Sequence, residues 1–310
     1  VAALAVAAFH LFRFPFPPFE FWSTQVFYLG EFGYYLFFLI SGCAIRLSME
    51  SGLSAGVFLW RRAVRILPLY WTVLGLSLGL AALGVLHLEP AFGREPIGNA
   101  LWNLTTLQQI FDRPSALAPF WTLGYETVFY ALAAVALAVG WLPERSIAIP
   151  WAAAALAIML LGPASAPGRL YFLAFGVGML AAETLRGRYH GAWTLGAAAV
   201  LVVLHALALP GHNLEHISAE STFRAVVLAI VFFLLSASHS QAKWPEPLLA
   251  LGRISFSLYL THAVLTAAAY KIHSREAYAV AIVLALPVAF LTYRWVEKPY
   301  LQASKMLGGR

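Results

Sequence analysis

Glu126 stands in the stretch PFWTLGYETVFYAL (119–132), surrounded by aromatic and aliphatic side chains. An ionisable side chain at the centre of a membrane helix costs about 2.5–3.5 kcal/mol on insertion scales, so residues of this kind mark places where charge or protons are handled. Helical spacing puts Thr122, Glu126, Phe129 and Tyr130 on one face. His10 is the only ionisable side chain among the first ten residues. A carboxylate that holds an imidazole fixes its tautomer and stabilises the imidazolium, which makes a general base. His10 and Glu126, brought together from two helices, are therefore the expected catalytic pair.

Two further constellations bear on the same chemistry. In FLWRRAVRILPLYW (58–71), Arg61, Arg62 and Arg65 recur within one helical turn and can converge. The planar guanidinium fork binds several phosphate oxygens at once. The same cluster also reads as a cytoplasmic anchor for a membrane helix. In LGRISFSLYLTHAVL (251–265), Ser255, Tyr259 and His262 fall on one stripe. Membrane helices also bury such residues simply to pack and hydrogen-bond.

The elements that position these groups follow from composition. The 310 residues are 61% hydrophobic and only 11% charged, which excludes a soluble domain with a polar skin and implies an integral membrane protein. Apolar runs predict an all-α, polytopic chain of about ten transmembrane helices. They lie near 1–12, 26–46, 67–87, 119–141, 147–163, 169–185, 194–209, 222–239, 254–272 and 277–297, in a single domain over 1–310. Most of the 20 Lys and Arg residues collect on one side, which places both termini in the cytoplasm. The stretch ALWNLTTLQQIF (100–111) in the longest outer connection reads as an interfacial helix. The net charge of +6 comes without a basic, aromatic-interleaved stripe, so nucleic acid is not an expected partner, whereas membrane lipid is. Val1 opens inside an apolar run without Met, and an upstream segment is expected; VAALAVAAFH also has the look of a signal-peptide core, a reading that leaves His10 unexplained.

Five segments, GYYLFFLISG (33–42), FLWRRAVRILPLYW, PFWTLGYETVFYAL, LGRISFSLYLTHAVL and LTYRWVEKPY (291–300), occur in an order and spacing that resemble membrane-bound acyltransferase family 3, over nearly the whole chain. The form of the Glu126 segment is most similar to the branch that modifies bacterial exopolysaccharides. The resemblance implies a multi-pass enzyme of the bacterial inner membrane that moves an acyl group, acetyl by default, from cytoplasmic acyl-CoA to a hydroxyl of an extracytoplasmic carbohydrate. It makes His10 the histidine of an Arg-x10-His motif whose Arg falls upstream of Val1. It matches Arg62 and Arg65 to a donor-binding Arg-x-x-Arg pair, with Arg61 beside them, and Glu126 and His262 to recurrent span-four and span-nine residues. Tyr130, Tyr259 and His262 are the candidates to support the thioester oxyanion. Many relatives carry Asp where this chain has Tyr35, so a role for that Asp does not transfer.

The competing function class is a secondary transporter or lipid-linked glycan flippase with a His/Glu proton relay. Against it, no repeated halves are evident. The resemblance implies no bound cofactor, acyl-CoA being a co-substrate. His212 and His216 have ligand spacing but sit in a polar loop, PGHNLEHISAES, and no metal is expected. The single cysteine, Cys43, excludes an intramolecular disulfide and reads as a packing residue.

Overall fold

The computed structural model describes residues 1–49, 52–140, 168–208, 218–239 and 243–307. Among them every regular element is helical. The helices are α1 (Ala2–Phe12), α2 (Pro17–Phe21), α3 (Leu29–Met49), α4 (Ala55–Ala82), α5 (Pro96–Leu104), α6 (Thr122–Ala138), α7 (Gly168–Leu185), α8 (Gly191–Ala208), α9 (Ala219–Ser238), α10 (Glu246–Arg253), α11 (Ser255–Ile272), α12 (Arg275–Thr292) and α13 (Lys298–Leu307). A helix satisfies its own backbone groups where water is absent, which suits long continuous apolar runs, whereas the strands of a closed barrel alternate apolar and polar residues.

The protein is a polytopic membrane protein, but the described helices fall short of the expected ten spans. Five are long and apolar enough to cross a bilayer, and a sixth forms if α10 and α11, bent by 63° at Ile254, count as one broken span. Three of the expected spans are shorter apolar helices: Ala2–Phe12, Leu170–Leu185 and Gly191–Leu207. The 11 residues of α1 that the sequence contains rise about 16 Å. The expected span at 147–163 lies outside the described residues.

α3 is the axis of the bundle. Gly42 lies against the Phe175 carbonyl of α7 and Gly178 against the Leu39 carbonyl of α3, each so close that a Cβ would overlap backbone. This small-residue seam lets two backbones touch, which is how helices associate when lipid offers no hydrophobic gain. Beyond the seam the same two helices carry a fully buried ion pair, Arg46 Nε to Glu183 Oε1 at 2.6 Å. At the other end of α3, Gly33 admits Val6 and the Ala2 carbonyl of α1. Around this axis Trp71, Leu76, Val135, Val203, Leu235 and Val283 face outward, as apolar residues do when the solvent is lipid.

The expected interfacial helix is broken in two. α5 ends at Leu104, Thr106 takes a left-handed backbone (φ 64°), and a single 3₁₀ turn, Gln108–Phe111, follows. The cause is Asn103, which is wholly buried: its amide donates to the Asn99 and Pro114 carbonyls, its Oδ1 accepts from Ala116 N–H, and its carbonyl accepts from Tyr70. The amphipathic face is real, with Ile97, Leu101 and Leu104 exposed, while the polar face pins the connection to α4.

Candidate functional site

Two cavities lie back to back along α1 and α11. The first, of about 440 Å³, is lined by Arg62, Arg65, Glu126, Tyr130, Ser41 and Tyr259. The second, of about 700 Å³, is lined by His10, Arg13, His87, Glu89, Pro119 and Tyr270. Val6 faces the arginine cavity and His10, one turn later on α1, the histidine cavity. On α11 the same step runs from Tyr259 to Ala263. The layer between them is therefore about one helical turn, roughly 5.4 Å.

In the arginine cavity the carboxylate is the best-held group, while Arg62 Nε is buried without a hydrogen bond. Glu126 is buried, and its Oε1 accepts from Ser41 Oγ at 3.2 Å and from the Tyr130 hydroxyl in a short bond. Tyr130 follows Glu126 by one turn, so the helix that presents the carboxylate also presents its donor. Arg62 donates to Ser48 Oγ at 2.7 Å and lies over the rings of Phe58 and Tyr130, 5.4 and 5.8 Å from their centroids. Arg65, exposed at the cavity wall, makes no hydrogen bond to a described residue, and its charge reaches Glu126. Arg61, about 100° round the helix from Arg62, is not part of this wall.

The histidine cavity differs. His10 Nε2 is buried without a hydrogen-bond partner, and its ring faces that of His262 with centroids 5.5 Å apart. His262 is wholly buried; its Nδ1 donates to the Leu258 carbonyl at 3.0 Å, while its Nε2 has no partner. The Arg13 guanidinium stacks on Phe9 and Phe14 beside them. In the connection after α4, burial pushes the Glu89 carboxyl above its ordinary range.

The dividing layer is built from Phe37, Tyr259 and Thr122. The Phe37 and Tyr259 rings are parallel, 6.1 Å apart. Tyr259 Oη donates to the Pro119 carbonyl at 2.8 Å and lies 2.7 Å from Thr122 Oγ1, which is itself 3.1 Å from that carbonyl. Two hydroxyl protons thus share one carbonyl and each other.

The expected contact between His10 and Glu126 does not form. His10 lines one cavity together with Pro119, whereas Glu126 lines the other, on the far side of the layer. What faces His10 is His262. The three expected oxyanion donors also have their protons committed in this arrangement: Tyr130 to Glu126, Tyr259 within the Pro119 cluster, and His262 Nδ1 to Leu258. Tyr35 lines neither cavity; its hydroxyl meets His205 Nδ1 at 3.0 Å between α3 and α8. His212 and His216 lie outside the described residues.

Sequence reasoning missed Ser41 and Ser48, which bind Glu126 and Arg62. Their seven-residue spacing on α3, two turns on one face of an apolar helix, was the available signal. Thr122 shared the expected face with Glu126, yet only the structure gives it Tyr259 as a partner.

Fold and site together define a helical membrane protein whose polar interior opens to two cavities across a thin layer. A family model described as an acyltransferase domain matches residues 1–294, and the chain belongs to membrane acyltransferase family 3. It is thus an acyl-transferring membrane enzyme. No curated protein and no solved structure matches it.

Proposed function

We propose that the enzyme takes an acyl group, acetyl by default, from acyl-CoA at the arginine cavity and delivers it to a carbohydrate hydroxyl, such as that of an exopolysaccharide precursor, at the histidine cavity. The observation that carries this reading is the pair of cavities divided by one helical turn, with two arginines on one side and an imidazole with a buried, unpartnered Nε2 on the other. Acyl transfer between partners that never share a compartment needs that arrangement. The reactive carbon has to cross only the layer of Phe37 and Tyr259.

Arg62 and Arg65 bind the donor phosphates. Arg65 offers a whole guanidinium fork, and Arg62, held by Ser48, sets its neighbour's direction. Glu126 balances the two cations while the cavity is empty. The pantetheine arm threads between α1 and α11 toward the layer. His10 removes the proton of the acceptor hydroxyl as it attacks the thioester carbonyl, and the thiolate leaves on the donor side. The excess of Lys and Arg puts the arginine cavity at the cytoplasmic face of a bacterial inner membrane, with both termini in the cytoplasm.

Inverted membrane vesicles test both halves. With [¹⁴C]acetyl-CoA outside, label should enter the vesicles' own glycans in the lumen; donor-independent labelling, or label confined to the outer surface, would refute the reading. In a Cys43→Ala background, Ala303→Cys should react with an impermeant maleimide in inverted vesicles and Gly93→Cys in intact spheroplasts. The reverse pattern would exchange the two cavities' roles.

A further inference from the structure

The proposed reaction uses one imidazole, yet the structure holds two. His10 and His262 face each other from α1 and α11 at 5.5 Å between ring centroids, planes tilted by 35°, and both Nε2 atoms are buried without a partner. They differ in what is fixed. A carbonyl only accepts, so the 3.0 Å contact between His262 Nδ1 and Leu258 O places the His262 proton on Nδ1. In the neutral ring the other nitrogen then carries a bare lone pair. His262 Nε2 is a buried acceptor on the ring that faces His10, and the helix backbone holds it in that tautomer.

Glu126, the carboxylate that sequence spacing suggests for His10, is bonded to Ser41 and Tyr130 in the other cavity. The charged and titratable groups around His10 are Arg13 on its own helix, His262 on α11, and His87, Glu89 and Tyr270 at the cavity wall. None of these carboxyl or hydroxyl groups hydrogen-bonds to His10. A base whose protonated form meets no acceptor is a poor base in an apolar layer.

Resting on the acyl-transfer reading, we propose that His262 is the positioning residue for His10: its fixed Nε2 lone pair receives the N–H of the His10 imidazolium, directly or through one bridging hydroxyl. The balance is closed. The acceptor O–H bond breaks and its proton goes to His10, the O–C bond to the acyl carbon forms, the C–S bond breaks, and the proton passes from His10 to the thiolate sulfur. His262 ends the cycle as it began, neutral with its proton on Nδ1. Nothing is oxidised or reduced.

The test uses the full-length protein in inverted vesicles with [¹⁴C]acetyl-CoA and the vesicles' own glycans as acceptor. His262→Leu keeps bulk and removes the lone pair; kcat should fall roughly 100-fold, with the acetyl-CoA KM within about two-fold, as expected for an interaction made only in the transition state. His262→Gln, whose amide oxygen can stand near the lost Nε2, should recover at least about ten-fold of that loss. Partial recovery is the readout that a purely structural role would not give. Equal loss in the two variants, or wild-type turnover in His262→Leu while His10→Ala is inactive, overturns the role of His262 and leaves the acyl-transfer reading standing. Wild-type turnover in His10→Ala sinks that reading itself. If His262→Leu does not survive extraction, His262→Phe, which keeps a flat ring without nitrogen, is read in its place with the same expected loss and the same overturning result.

Discussion

The two cavities share α1 and α11 and are a turn apart, yet they differ in how far their polar groups are paired. On the arginine side Ser41 and Tyr130 hold Glu126 and Ser48 holds one end of Arg62, whose Nε stays buried without a hydrogen bond. Beside the histidine cavity the Nε2 atoms of His10 and His262, whose rings are in contact, are buried with nothing to bond. An unmade buried hydrogen bond costs about 1–3 kcal/mol, so a fold retains two such atoms at neighbouring positions only against other gains. The contrast teaches which side is preorganised and which is completed by what enters it. A site for a constant, highly charged group can be built in advance; a site for a hydroxyl that must give up its proton has to keep its acceptors open.

The largest effect that tests this contrast belongs to the open side. His10→Ala should abolish transfer while expression and membrane insertion stay intact, because the apolar face of α1 is unchanged; turnover assays alongside a melting curve check it. On the preorganised side, Arg65→Ala removes charge-assisted bonds of about 1.5–3 kcal/mol, so the acyl-CoA KM should rise about 10- to 150-fold. Lysine at 65 should recover only part, supplying charge without the fork. Unchanged donor binding would leave the arginines as topological anchors.

A double-mutant cycle sharpens the boundary. Glu126→Gln and Arg65→Ala should show a coupling of about 0.5–3 kcal/mol in donor affinity, since they share one cavity, whereas Glu126→Gln and an Arg13→Gln change across the layer should add. Coupling of the second kind would mean the layer does not separate the two sites. Thr122→Val deletes one hydroxyl of the cluster on Pro119 and should lower the melting temperature by the equivalent of about 1 kcal/mol, with donor KM unchanged.

The smallest effect is at the mouth of the histidine cavity. Glu89 has its folded pKa raised by burial. Between the unfolded and folded values the unfolded chain loses its proton first, so this residue lowers stability as pH rises through that window and costs nothing below it. Glu89→Gln should therefore melt slightly higher than wild type at pH 8 and equally at pH 4. A gap that persists at pH 4 would trace the effect to something other than charge.

Much of this was legible in the chain. Long continuous apolar runs pointed to a helical membrane protein, because the strands of a lipid-spanning barrel alternate apolar and polar residues instead. Periodicity put Glu126 and Tyr130 on one face and brought Arg62 and Arg65 together, since contacts within one helix depend only on spacing. Five segments in order implied the family that the match over residues 1–294 shows. What spacing could not decide was depth and pairing between helices. Which residue of α1 stands level with which residue of α6 depends on where Gly33 lets α1 close on α3, and on the 3₁₀ turn at Ala118–Trp121 that starts α6 late. Those contacts join residues far apart in sequence, and their register moved Glu126 away from His10 and set His262 in its place.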